Sequence, residues 1–138
     1  MTKEQLASLA KGAMEKAYSP YSGYKVGAAL LCKDGSVYTG CNVENASFSA
    51  TNCAERTAFF KAVSEGKREF SAITICGGKD GVIESLFPPC GVCRQVMREF
   101  CEDDFEIHLL TKEGIETYML RDLLPMSFAP KTIKKTEK

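Results

Sequence analysis

"TNCAERTAFFKAV", Thr51–Val63, is the stretch on which the reading of this 138-residue chain turns. Ala58, Phe59, Ala62 and Val63 recur at helical spacing and give the segment an inward stripe. Gly66 supplies a stop signal, so the helix runs from about Cys53 to Glu65. Its first turn carries Cys53, Glu55 and Arg56. Packing alone does not require a thiol and a carboxylate at a helix start. Their meaning depends on what the rest of the chain brings to the same place.

Outward from this helix, Thr2 and Gln5 form a T-x-x-Q capping box, and Leu6, Leu9, Ala10, Ala13 and Ala17 continue at helical spacing until "SPYSGY" (19–24) ends the run. "KVGAALLC" and "VYTGC" read as short strands joined through Asp34-Gly35, a dipeptide that tolerates positive φ at both turn positions. "NVENASFSATN" (42–52) has the composition of a loop. After the helix come a buried strand, "SAITICGG", a long loop, and a second cysteine-started helix from about Gly91 to Cys101 that buries Val92, Val96 and Phe100. "FEIHLLT" and "IETYML" form a last hairpin around Lys112-Glu113-Gly114, and the polar tail from 131 is expected to fray. The order helix, two strands, helix, strand, helix, two strands describes a sheet covered by helices within one domain, 1–138.

Balanced charge, 18 basic against 18 acidic residues, gives no general attraction to a polyanion. No apolar run approaches a membrane span, and the N-terminus lacks the central apolar block of a signal peptide. The expectation is a cytoplasmic protein with no nucleic-acid or membrane partner. Seven cysteines, an odd number, are then expected to be free thiols. Cys32, Cys41, Cys76 and Cys101 lie in or beside apolar stretches, where a thiol acts as a small buried hydrophobe.

Cys53, Cys90 and Cys93 sit differently. "PPCGVC" places Cys90 and Cys93 three apart on a first helical turn, where they lie side by side. Cys53 joins them only if the two helices lie next to each other on the sheet. Helix N-termini favour thiolates, and zinc binds thiolates readily. Three protein ligands leave a fourth tetrahedral position open, the mark of a catalytic site. A fourth ligand would close it into a structural module; His108, the single histidine, sits in an alternating strand and reads as packed there. A redox CxxC would leave Cys53-Ala54-Glu55 unexplained. Glu55 is either a first-turn dipole partner or a proton shuttle beside the open position.

Cys-Ala-Glu on one helix start and Pro-Cys-x-x-Cys on the next resemble the zinc-dependent nucleoside and nucleobase deaminases. "YSGYKVGAALL", "GCNVENASFSATNCAERTA", "PPCGVCRQV" and "LLPMSF" narrow the likeness to the small homotetrameric cytidine deaminases, over about residues 5–128. The chain departs at Tyr24, where that family often has phenylalanine, and at Phe48, where tyrosine is common. The resemblance implies a three-layer α/β/α sandwich around a mixed five-stranded sheet. It implies one Zn²⁺ per chain on Cys53, Cys90 and Cys93, with Glu55 as catalytic acid–base. The reaction would be hydrolytic deamination of cytidine and deoxycytidine to uridine and deoxyuridine with release of ammonia, a step of pyrimidine salvage.

Further roles follow, some from side-chain chemistry and some, those of Tyr24, Ala54, Phe48 and Phe128, from the likeness. Asn42 and Glu44 would meet the ribose, although "NVEN" also fits a solvated turn. Tyr24 and Ala54 would contact the base. Phe48 and Phe128 would complete the active sites of neighbouring chains in a homotetramer, or else pack locally. Arg56 would donate to a ligand sulfur, which offsets the excess charge of three thiolates; a surface salt bridge is its alternative. Arg94 is a weaker candidate for that role. The absence of a Lys/Arg cluster in the 42–52 loop favours a nucleoside over a nucleotide. The rivals are a related deaminase of cytosine-bearing antibiotic nucleosides, a structural zinc module, and an RNA-editing enzyme.

Overall fold

The computed structural model describes residues 1–134. Its elements are α1 (Lys3–Met14), β1 (Tyr24–Cys32), β2 (Val37–Cys41), α2 (Ala54–Ser64), β3 (Phe70–Lys79), α3 (Gly91–Phe100), β4 (Glu106–Thr111), β5 (Gly114–Met119), α4 (Leu120–Leu123) and α5 (Pro130–Ile133), with a 3-10 turn at Phe48–Ala50. The expected capping box forms: Thr2 Oγ1 accepts from Gln5 N at 3.1 Å, and Gln5 Oε1 accepts from Thr2 N at 2.8 Å. α1 stops at Met14, short of Ala17, and its buried residues are Leu6, Ala7, Ala10 and Met14.

The strands lie in the order β2-β1-β3-β4-β5. β1 is antiparallel to both β2 and β3, β3 is parallel to β4, and β4 is antiparallel to β5. Because side chains alternate across a strand, β1 serves two cores. Val26, Ala28 and Leu30 point to one face and pack with Ala58, Phe59 and Ala62 of α2 and Met97 of α3. Ala29 points to the other face and joins Leu6, Ala10 and Met14 of α1, with Cys76 of β3. The mixed five-stranded sheet is therefore covered on both faces, giving the expected α/β/α layering.

Two glycines set how closely the helices approach. A Cβ on Gly27 would lie 2.1 Å from the carbonyl oxygen of Ala10, so only glycine lets α1 sit down on β1. A Cβ on Gly40 would lie 2.5 Å from the carbonyl oxygen of Ala54 and 2.6 Å from Ala58 N. Gly40 thus fixes the height of the first turn of α2 above the sheet.

Several expectations change. Val92 is exposed; on α3 the inward positions are Cys93 and Met97, one turn apart, with Val96 and Phe100 partly buried beside them. Cys41 is half-buried, while Cys32, Cys76 and Cys101 are buried as read. In the β1–β2 turn only Gly35 takes positive φ, +93°; Asp34 does not. The Asp34 carboxylate instead accepts from Ser36 N at 3.0 Å. The tail expected to fray from 131 begins with a helical turn, Pro130–Ile133; residues 135–138 lie outside the described residues.

Candidate active site

β2 and β3 are both antiparallel to β1, so they run in the same direction and end at the same edge of the sheet. Each leads through a loop into a helix, and the N-termini of α2 and α3 consequently open toward one place. Cys53 is the N-cap of α2, Cys90 is the N-cap of α3, and Cys93 lies on the first turn of α3. Neither N-cap thiol caps its own helix by a side-chain hydrogen bond. Their sulfurs are free to face each other.

The Sγ atoms of Cys53 and Cys90 are 3.9 Å apart, and all three sulfurs lie within 4.8 Å of one another. Tetrahedral zinc with Zn–S of about 2.3 Å needs sulfurs about 3.8 Å apart, so the three thiols fit that ion. Among the described residues no other group of three metal-ligating side chains meets this closeness. His108 is not near: it is buried in β4, with Nδ1 3.3 Å from Thr74 Oγ1 and Nε2 2.9 Å from Glu106 Oε1. The packed-strand reading of His108 stands.

Proton sharing shapes the thiol cluster. The Cys53 thiol is lowered from 9.0 to about 5, first by a hydrogen bond with Cys93 and then by Arg56. Cys93 is pushed up, first by its hydrogen bond with Cys53 and then by burial. Arg56 Nη2 donates to Cys53 Sγ at 3.3 Å, one turn along α2. Arg94 does not reach a sulfur. Its Nε donates to Pro89 O and its Nη1 to Leu123 O, each at 2.7 Å, which ties the Pro-Cys approach to the end of α4.

Glu55 is 4% exposed, and burial pushes its carboxyl up to about 7. Ala54, beside it, is fully buried. A carboxyl held out of water beside three thiols that fit a metal suits proton transfer better than dipole stabilisation.

The other predicted residues divide into groups. Asn42 is buried, and its amide is already engaged: Oδ1 accepts from Val26 N at 2.9 Å and Nδ2 donates to Tyr24 O at 2.8 Å. Glu44 Oε1 accepts from Tyr21 N at 2.9 Å and Ser22 N at 3.1 Å, and Oε2 accepts from Ser22 Oγ. Glu44 and Phe48 line a cavity of about 310 Å³ with Tyr21, Ser22 and Thr51. Tyr24 lines another, of about 420 Å³, and its ring stacks on Phe87 with centroids 6.0 Å apart. Phe48 and Phe128 are 76% and 61% exposed, and Phe128 lines neither cavity. Tyr21, Ser22, Lys79 and Phe87 were not singled out from sequence. "SPYSGY" looks like nothing more than a helix stop until the fold lays it against Glu44.

With this geometry in place, comparison with known proteins is decisive. The family described as "Cytidine and deoxycytidylate deaminase zinc-binding region" matches residues 1–108. The cytidine deaminase of Sporosarcina psychrophila is 48% identical over 130 residues, covering 94% of this chain and 93% of that protein. That of Halalkalibacterium halodurans is 49% identical over 129 residues, covering 93% and 95%. The crystal structure of cytidine deaminase from Burkholderia pseudomallei superposes with a TM-score of 0.85 at 47% identity, covering 93% of this chain and 100% of that one. Three thiols at two helix starts, a buried glutamate beside them and this likeness in sequence and fold agree: the chain belongs to the cytidine and deoxycytidylate deaminase family.

Proposed function

We propose that this chain is a zinc-dependent cytidine deaminase that converts cytidine and deoxycytidine to uridine and deoxyuridine with release of ammonia. The observation that carries the reading is the convergence of Cys53, Cys90 and Cys93 beside buried Glu55. Cys53, Cys90 and Cys93 would hold one Zn²⁺ per chain, which when bound supplies the Lewis acidity that makes water a nucleophile near neutral pH. Glu55 accepts the proton of the water that attacks C4, delivers one to ring N3 and assists departure of the amino group. A C4–O bond forms and the C4–N bond breaks. Arg56 offsets the net −1 that three thiolates place on a divalent site, by donating to Cys53 Sγ.

Around the chemistry, Glu44 and Asn42 receive the sugar, while Tyr24 and the backbone at Ala54 contact the base. Asn42, already tied to β1, has one N–H and one lone pair left to offer. The exposed rings of Phe48 and Phe128, with fully exposed Met126, are what a chain would show if neighbouring copies covered them. A homotetramer with active sites completed between chains accounts for them. No described helix is long and apolar enough to cross a membrane; action on free nucleosides in the cytoplasm is the matching setting.

The test is ammonia release from cytidine, deoxycytidine and CMP by the purified protein, before and after chelation. Turnover of both nucleosides, lost on chelation, is expected. Glu55→Gln should keep its zinc and lose at least roughly 100-fold in kcat. A zinc-replete Glu55→Gln protein with parental turnover would remove Glu55 from the mechanism.

A further inference from the structure

We infer that Ser22, locked in place by Lys79, is the positioning residue for the sugar-reading carboxylate of Glu44; this rests on the sugar role proposed above. Ser22 lies in the loop between α1 and β1 and grips Glu44 twice, its amide on Oε1 at 3.1 Å and its hydroxyl on Oε2. The Ser22 hydroxyl also accepts from Tyr24 N at 3.0 Å. A hydroxyl has one hydrogen, so with its acceptor side turned to Tyr24 that hydrogen is committed to Glu44.

Lys79, the last residue of β3, holds the opposite side of the loop. Its Nζ donates to Ser22 O at 3.0 Å and lies 5.3 Å above the centroid of the Tyr24 ring. The space for this contact is built into the sequence. Gly23 has φ +76°, and a Cβ there would lie 2.8 Å from Lys79 Nζ. One lysine thus joins the residue that aims Glu44 to the aromatic that meets the base, across 57 residues of chain.

The consequence is chemical. Three donors on Glu44, the Ser22 hydroxyl first among them, hold its carboxyl below the ordinary range. An ionised carboxylate only accepts hydrogen bonds and offers about four lone-pair sites, so about one remains for a ligand. What fits that vacancy is a free sugar hydroxyl. An ether or a phosphate brings only further acceptors.

Steady-state kinetics of the full-length, zinc-loaded protein with cytidine tests the inference, using Ser22→Ala, Lys79→Gln, Lys79→Arg and, as reference, Glu44→Gln. Ser22 and Lys79 are exposed, so the variants should match the parent in zinc content and melting temperature. Ser22→Ala should raise KM about 10-fold and Lys79→Gln roughly 3- to 10-fold, with kcat within about twofold. Lys79→Arg, which keeps the donor and the cation over the ring, should return KM to within about twofold of the parent. Parental KM in both Ser22→Ala and Lys79→Gln, while Glu44→Gln raises it, would sink this inference and leave the sugar role of Glu44 standing. Parental KM in Glu44→Gln would overturn the sugar role and this inference with it. A fall in kcat at constant KM in Ser22→Ala would point to disruption of the chemistry and would also refute positioning.

Discussion

Replacing Arg56 with glutamine shortens the side chain and removes the guanidinium bonded to a proposed zinc ligand. Arg56 Nη2 lies 3.3 Å from Cys53 Sγ. A hydrogen bond to a charged partner is worth about 1.5–3 kcal/mol net, roughly 10- to 150-fold in a binding constant. Outer-sphere partners of metal ligands independently cost about 10- to 100-fold when removed. The two scales agree, so Arg56→Gln should weaken zinc binding by roughly 10- to 100-fold. The metal-free protein should respond differently. Among the described residues nothing pairs with the buried Nε of Arg56, a donor whose burial costs about 1–3 kcal/mol. Removing that donor partly offsets the loss of the bond to Cys53 Sγ, so metal-free stability should fall by less than zinc affinity does. Competition against a chromophoric chelator gives the zinc affinity, and urea unfolding of the metal-free protein gives the stability. Zinc affinity within twofold of the parent would refute the reasoning. So would a loss of metal-free stability as large as the loss in zinc affinity, because Arg56 would then be a packing residue.

Gly40→Ala places a methyl 2.5 Å from the Ala54 carbonyl oxygen and must lift the first turn of α2 by nearly an ångström. Urea unfolding should show a loss of about 1–3 kcal/mol. Displacement of Cys53 and Glu55 from the thiols of α3 should lower kcat/KM by roughly 100-fold; parental activity would mean that α2 adjusts without moving its start. On the alkaline side, burial pushes the Cys76 thiol from 9.0 to about 11. The folded chain therefore keeps a proton that the unfolded chain loses above pH 9. Stability from this group is intact below 9 and falls by about 1.4 kcal/mol per pH unit between 9 and 11. Urea midpoints at pH 8, 9.5 and 10.5 should show a shallower fall for Cys76→Ala than for the parent, and equal slopes would dismiss the effect.

Where local chemistry decides, the sequence was readable. The Thr2/Gln5 box, the Gly66 stop and the hairpin at Lys112–Gly114 depend on neighbours within a few residues. α3 shows the limit of that reading. Val92, Val96 and Phe100 look like an apolar stripe, yet the most buried positions are Cys93 and Met97, and Val92 is left to solvent. A stripe fixes the helix; its rotation is set by what it packs against. Arg98 is buried for the same reason, with its guanidinium 2.8 Å from Asp103 Oδ1. The short turns α4 and α5 have too few residues to show a period at all.

By itself the sequence determined which residue types begin two helices, and hence that three thiols and a carboxylate each sit where amide N–H groups and partial positive charge favour anions. The strand-helix-strand-helix order also called for the two starts to share one edge, but only the tertiary structure brought the three sulfurs within 4.8 Å of one another. That closeness rests on β2 and β3 flanking an antiparallel β1, of which β3 lies far from β1 in the chain. It also decided that Glu44 is gripped by Tyr21 and Ser22, and that Lys79 reaches back over Tyr24. No local pattern encodes such contacts, because a hydrogen bond across 22 or 57 residues depends on register and packing before it depends on the two residues that make it.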